Sequence, residues 1–231
     1  MKIESRYLDG SYLELNPEWD RLDAEWKAKL VEKILKRNGV APKSIVEVGC
    51  GSGDILRHLR VFFNETKLVG YDVSPQAQAF WNDDSEGIDF YLGDFHKQNM
   101  SSYDVLVMAD VFEHVRDPFS FLEESRRHAK YFVFHIPLDL SAQSVARGKP
   151  LLNVRRTVGH LNSYTKDLAL ETLSDCGFRI IESSYTGASM NMPNRSLLTK
   201  FAQIPRSLFS LIDKDYSVRV FGGETLIVLT N

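Results

Sequence analysis

The feature that most limits the fold of this chain is an alternation of short apolar runs with amphipathic stretches between residues 44 and 136. The runs are continuously apolar, as expected of parallel strands that are buried on both faces. Strands that alternate with helices form βαβ units, so the pattern predicts an α/β fold with helices on both faces of a mostly parallel sheet. The predicted strands are Ser44–Val48, Lys67–Tyr71, Ile88–Leu92, Asp104–Met108, Tyr131–Ile136, Phe178–Tyr185 and Glu224–Thr230.

Helices are predicted between these strands from the three- and four-residue spacing of apolar positions and from capping residues. Ser74 and Asp117 each precede a proline, which is the combination expected at an N-cap and the first helical residue. Gly39 and Gly177 are typical of helix ends. The predicted helices are 18–38, 54–63, 74–81, 117–128 and 166–176.

The length of 231 residues and the lack of internal repeats indicate one domain over 1–231, with residues 1–40 as an N-terminal helical cap. Segments 137–164 and 186–217 interrupt the rhythm and are too long for ordinary connections. Long excursions on α/β sheets often form lids or substrate walls, so we expect these two to line the substrate side. The alternative is that both segments lie on the surface and have no contact with the substrate.

Composition excludes several classes of function. The chain has 28 Lys and Arg against 31 Asp and Glu, and a net charge of −3 argues against a nucleic-acid partner. Two cysteines, Cys50 and Cys176, cannot form a disulfide framework or a four-cysteine zinc site. No apolar run approaches the roughly 18 residues of a membrane helix, and the N-terminus is too polar for a signal peptide. We therefore expect a cytoplasmic protein.

A glycine-rich turn follows the first predicted strand, in the sequence Glu47-Val-Gly-Cys-Gly-Ser-Gly-Asp54. In an open α/β sheet this turn lies at the ligand crevice. A dinucleotide fingerprint would have a third glycine where Asp54 stands, and a carboxylate in the first turn of a helix repels a pyrophosphate. No Gly-Lys-Ser/Thr sequence follows, so a P-loop is absent as well. The turn therefore favours a ligand without phosphates.

Three acidic residues stand at the ends of predicted strands. Glu47 can meet a ligand cation, or it can cap a helix elsewhere in the fold. Asp72 suits the two hydroxyl groups of a ribose, although nicotinamide enzymes use such an acid too. Asp94 can accept a hydrogen bond from an adenine amino group beside the apolar Phe95, or it can be a simple turn aspartate.

The motifs VEVGCGSG, GYDVS, LGDF and MADVFEHVRDP occur in this order and together resemble those of the class I S-adenosylmethionine-dependent methyltransferases. The likeness runs from about Ile45 to Asp139 and continues more weakly in GHLNSYT and in the closing strand pair. Within that family, the sequence is most similar to the small-molecule branch with methyltransferase domains of types 11, 12 and 23.

The resemblance implies a Rossmann-like sheet of seven strands in the order 3-2-1-4-5-7-6, with strand 7 antiparallel, and S-adenosylmethionine as the cofactor. It also implies that the glycines pass under the methionine part, that Asp72 holds the ribose and that Asp94 contacts adenine. Ala109 and Asp110 would flank the methyl group. The cofactor-binding residues expected on this basis are Glu47, Gly49, Cys50, Gly51, Gly53, Asp72, Val73, Asp94, Phe95, Ala109 and Asp110.

Methyl transfer to a hydroxyl group needs a base, and histidine is the usual choice. The family often places a histidine near the acceptor at the position of His114, and His160 lies in the long connection after strand 5. We expect these two to be catalytic and His135 and Tyr164 to contact the substrate, although a lone histidine is more often structural. The spacing shows no metal-binding cluster, and whether His114, His135 and His160 meet in space is left open.

These features predict a methyltransferase that acts on an O or N atom of a small-molecule, sugar or lipid-like acceptor. A nicotinamide-dependent oxidoreductase and a non-catalytic cofactor-binding domain are the alternatives. The apolar segment 194–212 can bind the acceptor, form a homodimer contact or touch a membrane surface, the last being disfavoured because few basic residues lie nearby. Trp19 and Trp26 are expected to pack the N-terminal helix on the body of the domain; the alternative is that this helix, with Lys27, caps the cofactor.

Overall fold

A computed structural model describes residues 6–19, 21–81, 87–187 and 213–231. Its centre is a seven-stranded sheet with the order β3-β2-β1-β4-β5-β7-β6. The strands are β1 Ser44–Val48, β2 Lys67–Asp72, β3 Ile88–Leu92, β4 Tyr103–Ala109, β5 Ala129–Pro137, β6 Ile180–Tyr185 and β7 Thr225–Thr230. The α/β fold and the strand order expected from the sequence are both confirmed.

The register shows why the apolar runs are continuous. β1 pairs in parallel with β2 and β4, as in the pairs Val46↔Val69 and Val46↔Leu106. β7 runs antiparallel between β5 and β6. Val46 packs into the apolar cluster on one face of the sheet, and Ile45 packs into the cluster on the other face. Because both faces are covered, successive residues of a central strand are apolar without alternation.

Ten α-helices are described beside the sheet. α3 and α4 pack against each other, and their apolar residues share a cluster with Ile45 and Val105. α6 and α9 contribute Leu122 and Leu173 to the other cluster. The helices are α1 Arg6–Asp9, α2 Ser11–Leu15, α3 Ala24–Arg37, α4 Asp54–Phe62, α5 Phe95–Gln98, α6 Pro118–Ser125, α7 Ala142–Arg147, α8 Lys149–Thr157, α9 Lys166–Asp175 and α10 Lys214–Phe221.

Two predicted helices differ from the structure at their N-termini. The helix expected over 18–38 begins at Ala24, after a 3₁₀ turn over Arg21–Asp23, because Trp19 has a φ of +44° that a helix cannot contain. The helix expected over 74–81 is a short 3₁₀ turn, Ala77–Phe80. Ser74 is not its N-cap, since its hydroxyl donates to the side chain of Gln76.

Other boundaries follow the sequence more closely. Asp117 is the N-cap of α6 and accepts a hydrogen bond from the backbone N–H of Ser120 at 3.1 Å. The helix then tightens to a 3₁₀ turn over Arg126–His128, so the predicted range 117–128 holds in extent but not in type. Gly177, with a φ of +82°, lies beyond the C-cap of α9 as expected.

The long connection 137–164 contains helices that the apolar spacing did not predict. They are α7 and α8, and α7 begins with a capping box between Ser141 and Ser144. Of segment 186–217, only residues 186–187 and 213–217 are described, so the apolar stretch 194–212 lies outside the described residues. Among the helices that are described, none has the length and apolar character needed to cross a bilayer.

Candidate active site

A cavity of about 430 Å³ lies at the carboxyl ends of β1, β2 and β4. Parallel strands present the turns after them at this edge of the sheet, which is where ligands bind in open α/β folds. Its floor is the glycine turn after β1. Its walls come from the turns after β2, β3 and β4 and from the N-terminal residues Tyr7, Tyr12 and Trp19.

Two glycines shape the floor because side chains crowd them. Gly49 has a φ of +74°, and a Cβ there would lie 2.8 Å from Val111. Gly51 has a φ of +51°, and a Cβ there would collide with the indole of Trp19. Positive φ and close approach are what glycine permits at no steric cost. Gly53 does not line the cavity; it lies at the start of α4 with a φ of +80°.

Asp72 ends β2 and holds the turn in place. One carboxylate oxygen accepts the N–H of Gly51 at 2.8 Å, and the other accepts the N–H of Ser74 at 2.8 Å. Burial raises the pKa of Asp72, and these backbone donors oppose the rise. Asp72 and its neighbour Val73 both line the cavity, so the carboxylate is fixed in position at the cavity wall.

Glu47 lies in the cavity wall as a buried carboxylate, only 1% exposed. Its Oε2 atom has no hydrogen-bond partner among the described residues. Burial raises the pKa of Glu47 well above its usual value, while the positive charge of Lys27 acts in the opposite direction. A buried carboxyl in this position is suited to a ligand that brings a cation or a hydrogen-bond donor.

Asp94 and Phe95 line the cavity at the turn after β3. The carboxylate of Asp94 is the N-cap of α5 and accepts from the N–H of His96 at 3.0 Å. It also forms an exposed ion pair with Lys97 at 3.2 Å. Phe95 is buried and meets the ring of Tyr71 edge-on, with the centroids 5.2 Å apart. Asp94 therefore has a capping role in addition to its place in the cavity.

Ala109 and Asp110 line the cavity at the end of β4, and Asp110 has a φ of +55°. Its carboxylate lies between two cations or potential cations, with Lys27 Nζ at 2.8 Å and His135 Nδ1 at 2.7 Å. Burial alone would raise the pKa of Asp110, but His135 and Lys27 hold it well below its usual range. Asp110 is therefore ionised and joins α3 to the end of β4. Cys50 also lines the cavity and is buried, and burial raises the pKa of its thiol.

The two residues predicted to contact the substrate are placed elsewhere. His135 is buried behind Asp110, with Nε2 2.8 Å from the hydroxyl of Thr225, and its ring packs edge-on against Trp26. Tyr164 is buried in the core with its ring 5.1 Å from that of Phe112. Neither lines the cavity. Their positions near the sheet edge suggested the crevice, but their side chains are directed into the packed interior.

His114 lies in the cavity wall, and its Nδ1 is 2.9 Å from the hydroxyl of Tyr7. Burial and the neighbouring His160 lower the pKa of His114 to about 4. The ring of His160 packs edge-on against that of His114, with the centroids 4.8 Å apart, but His160 does not line the cavity. Nδ1 of His160 is hydrogen-bonded to the carboxylate of Asp139.

Sequence reasoning missed Glu113, whose carboxylate is fully buried beside these histidines. Its Oε1 is 4.0 Å from Nε2 of His114. One potential ligand atom each from Glu113, His114 and His160 lies within 4.8 Å of the others. The only available signal was the adjacent Glu-His pair in DVFEHV, because His160 is remote in sequence. Tyr7 and Tyr12 were also missed, since nothing in their spacing pointed to the cavity.

Residues 19–183 match the model of a family described as "Methyltransferase domain". This range covers the glycine turn, the acids at the strand ends and the Glu113–His160 region. The chain belongs to this family. The demethylmenaquinone methyltransferase of Thermotoga maritima is 27% identical over 111 residues, which is 47% of each chain. The matched region therefore spans about half the length of that relative.

Solved structures share the fold over nearly the whole chain. The methyltransferase bound to the Trm112 activator of Haloferax volcanii superposes with a TM-score of 0.63 at 20% identity, covering 96% of this chain and 94% of its own. The plantazolicin methyltransferase BpumL, in complex with a monoazolic desmethylPZN analog and SAH, superposes with a TM-score of 0.60 at 16% identity, covering 98% and 89%. The fold of this methyltransferase is thus common to proteins that bind SAH.

The cavity fits the cofactor of the family, S-adenosylmethionine. Asp54, at the start of α4 where a dinucleotide fingerprint has its third glycine, is paired with Arg21 and Arg57 at 2.6 and 2.7 Å. The orphaned carboxyl of Glu47 and the fixed carboxylate of Asp72 are acceptors for an ammonium group and for hydroxyl groups. S-adenosylmethionine is the cofactor that the family and these residues support.

Proposed function

We propose that this protein transfers a methyl group from S-adenosylmethionine to an O or N atom of a small-molecule, sugar or lipid-like acceptor. The observation that carries the proposal is the continuity of the cavity, which includes both the Gly51–Asp72 corner and the ring of His114. A donor at the first and an acceptor at the second would lie in one space. Alignment of the two reactants in such a space supplies much of the acceleration in a displacement reaction.

The cofactor, when bound, supplies an electrophilic methyl group on a sulfonium. Asp72 would accept hydrogen bonds from the ribose hydroxyls, and Glu47 would meet the amino group of the methionine part. Asp94 and Phe95 would contact the adenine, while Ala109 and Asp110 would flank the reacting methyl group. Val73 and Cys50 would complete the walls by packing. All of these residues border the same cavity.

His114 is the group best placed to contact the acceptor, since its ring is in the wall and its Nδ1 is engaged by Tyr7. Its low pKa leaves the imidazole neutral at pH 7, so Nε2 can accept a hydrogen bond or a proton from an acceptor hydroxyl or amine. His160 would act through His114 as a positioning residue, because it packs on that ring without reaching the cavity.

The N-terminal aromatic residues give the site a cover. Trp19 packs over the glycine turn, and its ring lies 5.2 Å from that of Tyr12 and 5.9 Å from that of Phe80. Apolar walls exclude water, which protects a reactive sulfonium and strengthens the polar contacts inside. A demethylmenaquinone methyltransferase among the relatives and the monoazolic desmethylPZN analog bound by BpumL support an acceptor of small to moderate size.

Calorimetry with the cofactor and with SAH tests the proposal. We expect micromolar binding of both by the wild-type chain and loss of both in Asp72→Ala. The matched control is Asp89→Ala, which removes an exposed acid of β3 whose nearest ion-pair partner is 3.9 Å away, and it should bind normally. No heat and no thermal shift with either ligand would contradict the proposal.

Turnover is tested separately by following SAH formation over a panel of phenols, amines, sugars and quinols. Formation of SAH that depends on one acceptor class supports the enzyme and names its substrate. Cofactor binding without turnover on any member would favour a non-catalytic domain. A thermal shift with NADH, together with none for SAH, would favour the nicotinamide-dependent alternative.

A further inference from the structure

We propose that Glu113, His114 and His160 form a binding site for a divalent transition-metal ion at the acceptor side of the cavity. Here an unpartnered buried carboxylate lies beside two histidines whose Nδ1 atoms are already hydrogen-bonded. The binding of the ion is independent of the proposed methyl transfer, whereas its role in the reaction rests on it.

The first observation is the state of Glu113. Its side chain is fully buried, and neither carboxylate oxygen has a hydrogen-bond partner among the described residues. A buried carboxyl group without a partner is costly, and native proteins rarely leave one without a purpose. A cation between Glu113 and the histidines would satisfy the carboxylate.

The second observation is the orientation of the two histidines. Nδ1 of His114 is held by the hydroxyl of Tyr7 at 2.9 Å, and Nδ1 of His160 by the carboxylate of Asp139. His114 also forms a hydrogen bond with the backbone of Gly159. With Nδ1 engaged in each ring, Nε2 is the atom that would bind the ion. Ligating histidines almost always bind an outer carboxylate, carbonyl or water through their second nitrogen, and this fixes both the tautomer and the ring orientation.

The backbone holds the three residues together. The carbonyl oxygen of Glu113 accepts hydrogen bonds from the N–H groups of Leu161 and Asn162 at 2.8 and 3.0 Å. The side-chain amide of Asn162 donates to the carbonyl of Val115 at 2.8 Å. These bonds fix the segment after α8 against the turn after β4, so the juxtaposition is built into the fold.

The donor set indicates the kind of ion. Two imidazoles and one carboxylate suit zinc, manganese, iron or cobalt better than magnesium or calcium, which prefer oxygen ligands. Two ligands that each lie about 2.1 Å from an ion are at most about 4.2 Å apart. The candidate ligand atoms lie within 4.8 Å of one another, so the side chains need to close only slightly. Three protein ligands leave a position open, as in catalytic zinc sites.

The coordination position left open on the ion would serve the proposed methyl transfer. The ring of His114 is in the cavity wall, so an ion on its Nε2 would be at the acceptor side. There it would orient an acceptor oxygen and stabilise the negative charge on it. With an ion on Nε2, His114 would hold the metal instead of accepting a proton from the acceptor, and the acceptor class would be one with a hydroxyl group rather than an amine.

Calorimetry on the full chain, stripped with a chelator, tests the site with zinc, manganese and magnesium chlorides as probes. We expect one zinc ion per chain and much weaker magnesium binding. Glu113→Gln and His160→Asn should weaken zinc binding by about 100-fold or more, and Asp139→Asn by about 10- to 100-fold, as outer partners of ligating histidines do. The matched control, His58→Asn, changes a histidine on α4 and should leave the affinity unchanged.

Circular dichroism and the melting temperature of each metal-free variant establish that it is folded. Glu113→Gln conserves shape and removes a buried charge, so it is the variant least exposed to misfolding. Absence of a one-to-one zinc complex in the wild-type chain overturns the inference. Equal zinc affinity in the wild type, Glu113→Gln and His160→Asn overturns it as well. SAH binding measured on the same samples separates this outcome from failure of the proposed function.

Discussion

Lys27 of α3 and Asp110 at the end of β4 form an ion pair of 2.8 Å between Nζ and Oδ2. The ammonium group is almost fully buried, and its second acid is Asp23, the N-cap of α3, at 3.2 Å. Asp110 in turn bonds His135 on the neighbouring strand. One carboxylate therefore fastens the N-terminal helix to two central strands at the edge of the cofactor cavity.

Asp110→Asn is expected to destabilise the protein by roughly 3 kcal/mol, since removal of one partner leaves the buried charge of Lys27 less well compensated, by Asp23 at 3.2 Å. Asparagine keeps the size of the side chain and tolerates the positive φ at this position. Asp110→Ala should cost more, because alanine adopts this conformation less readily. Urea denaturation measures both, with Asp89→Asn as the exposed control. Equal stability of wild type and Asp110→Asn would show that the pair contributes nothing.

The raised pKa of Glu47 predicts how the stability of the protein depends on pH. Its pKa is raised in the folded state by burial, so the folded protein retains a proton that the unfolded chain releases. The contribution of Glu47 is therefore full below the ordinary pKa of glutamate and is lost as the pH rises toward the higher pKa of the folded state. Glu47→Gln should abolish this part of the pH dependence.

The measurement is the free energy of unfolding of wild type and Glu47→Gln from pH 4 to pH 8, taken without cofactor. The difference between the two should change steadily in favour of the glutamine variant as the pH rises. A constant difference across the range would mean that Glu47 titrates normally in the folded protein. Glu65→Gln, between α4 and β2, serves as the exposed control.

The sheet could be predicted from the sequence because the central strands are buried on both faces and therefore appear as unbroken apolar runs. The acids at the ends of β1, β2 and β3 were accessible for a related reason, since parallel strands bring their carboxyl ends to one edge. Trp19 was not. Its apolar spacing with Leu22 and Trp26 predicts a helix, but its indole packs over Gly51 and the chain turns there instead. Tertiary packing overrode the local pattern.

The Glu113–His160 cluster could not be predicted from spacing at all. Its members come from the turn after β4 and from the segment after α8, and they meet through backbone hydrogen bonds at Leu161 and Asn162. The predicted substrate contact of His135 differs from the structure for the opposite reason. Its position at the end of β5 places its backbone near the crevice, but its side chain is buried and hydrogen-bonded to Asp110 and Thr225. Position along a strand does not fix which partner a polar side chain finds.

Tyr7→Phe tests whether the N-terminal cover acts on the acceptor side. The change removes the hydroxyl that lies 2.9 Å from His114 Nδ1 and donates to the carbonyl of Val158 at 3.1 Å. A net hydrogen bond is worth about 1 kcal/mol, so turnover should fall by roughly 5-fold. SAH affinity should change little, because the ring itself remains in the wall.

The control is Tyr91→Phe, which removes a hydroxyl from a half-exposed residue of β3 and should leave both quantities unchanged. Steady-state kinetics with the acceptor found in the panel, together with SAH titration, measure the two effects separately. An equal loss of SAH affinity and turnover would assign Tyr7 to the cofactor instead of the acceptor.

Two glycines with similar positive φ angles allow the cost of backbone strain to be measured apart from the cost of a steric clash in the cavity floor. Gly51 has a φ of +51° and is covered by Trp19, whereas Gly39, after α3, has a φ of +67° with nothing within 4 Å of an added Cβ. Gly39→Ala should cost only the left-handed backbone, about 1–2 kcal/mol. Gly51→Ala adds a collision that must displace the indole. We expect a greater loss of stability and at least 10-fold weaker SAH binding by calorimetry, while Gly39→Ala binds SAH normally. Equal effects of the two substitutions would show that Trp19 moves aside without consequence and does not form part of the cofactor site.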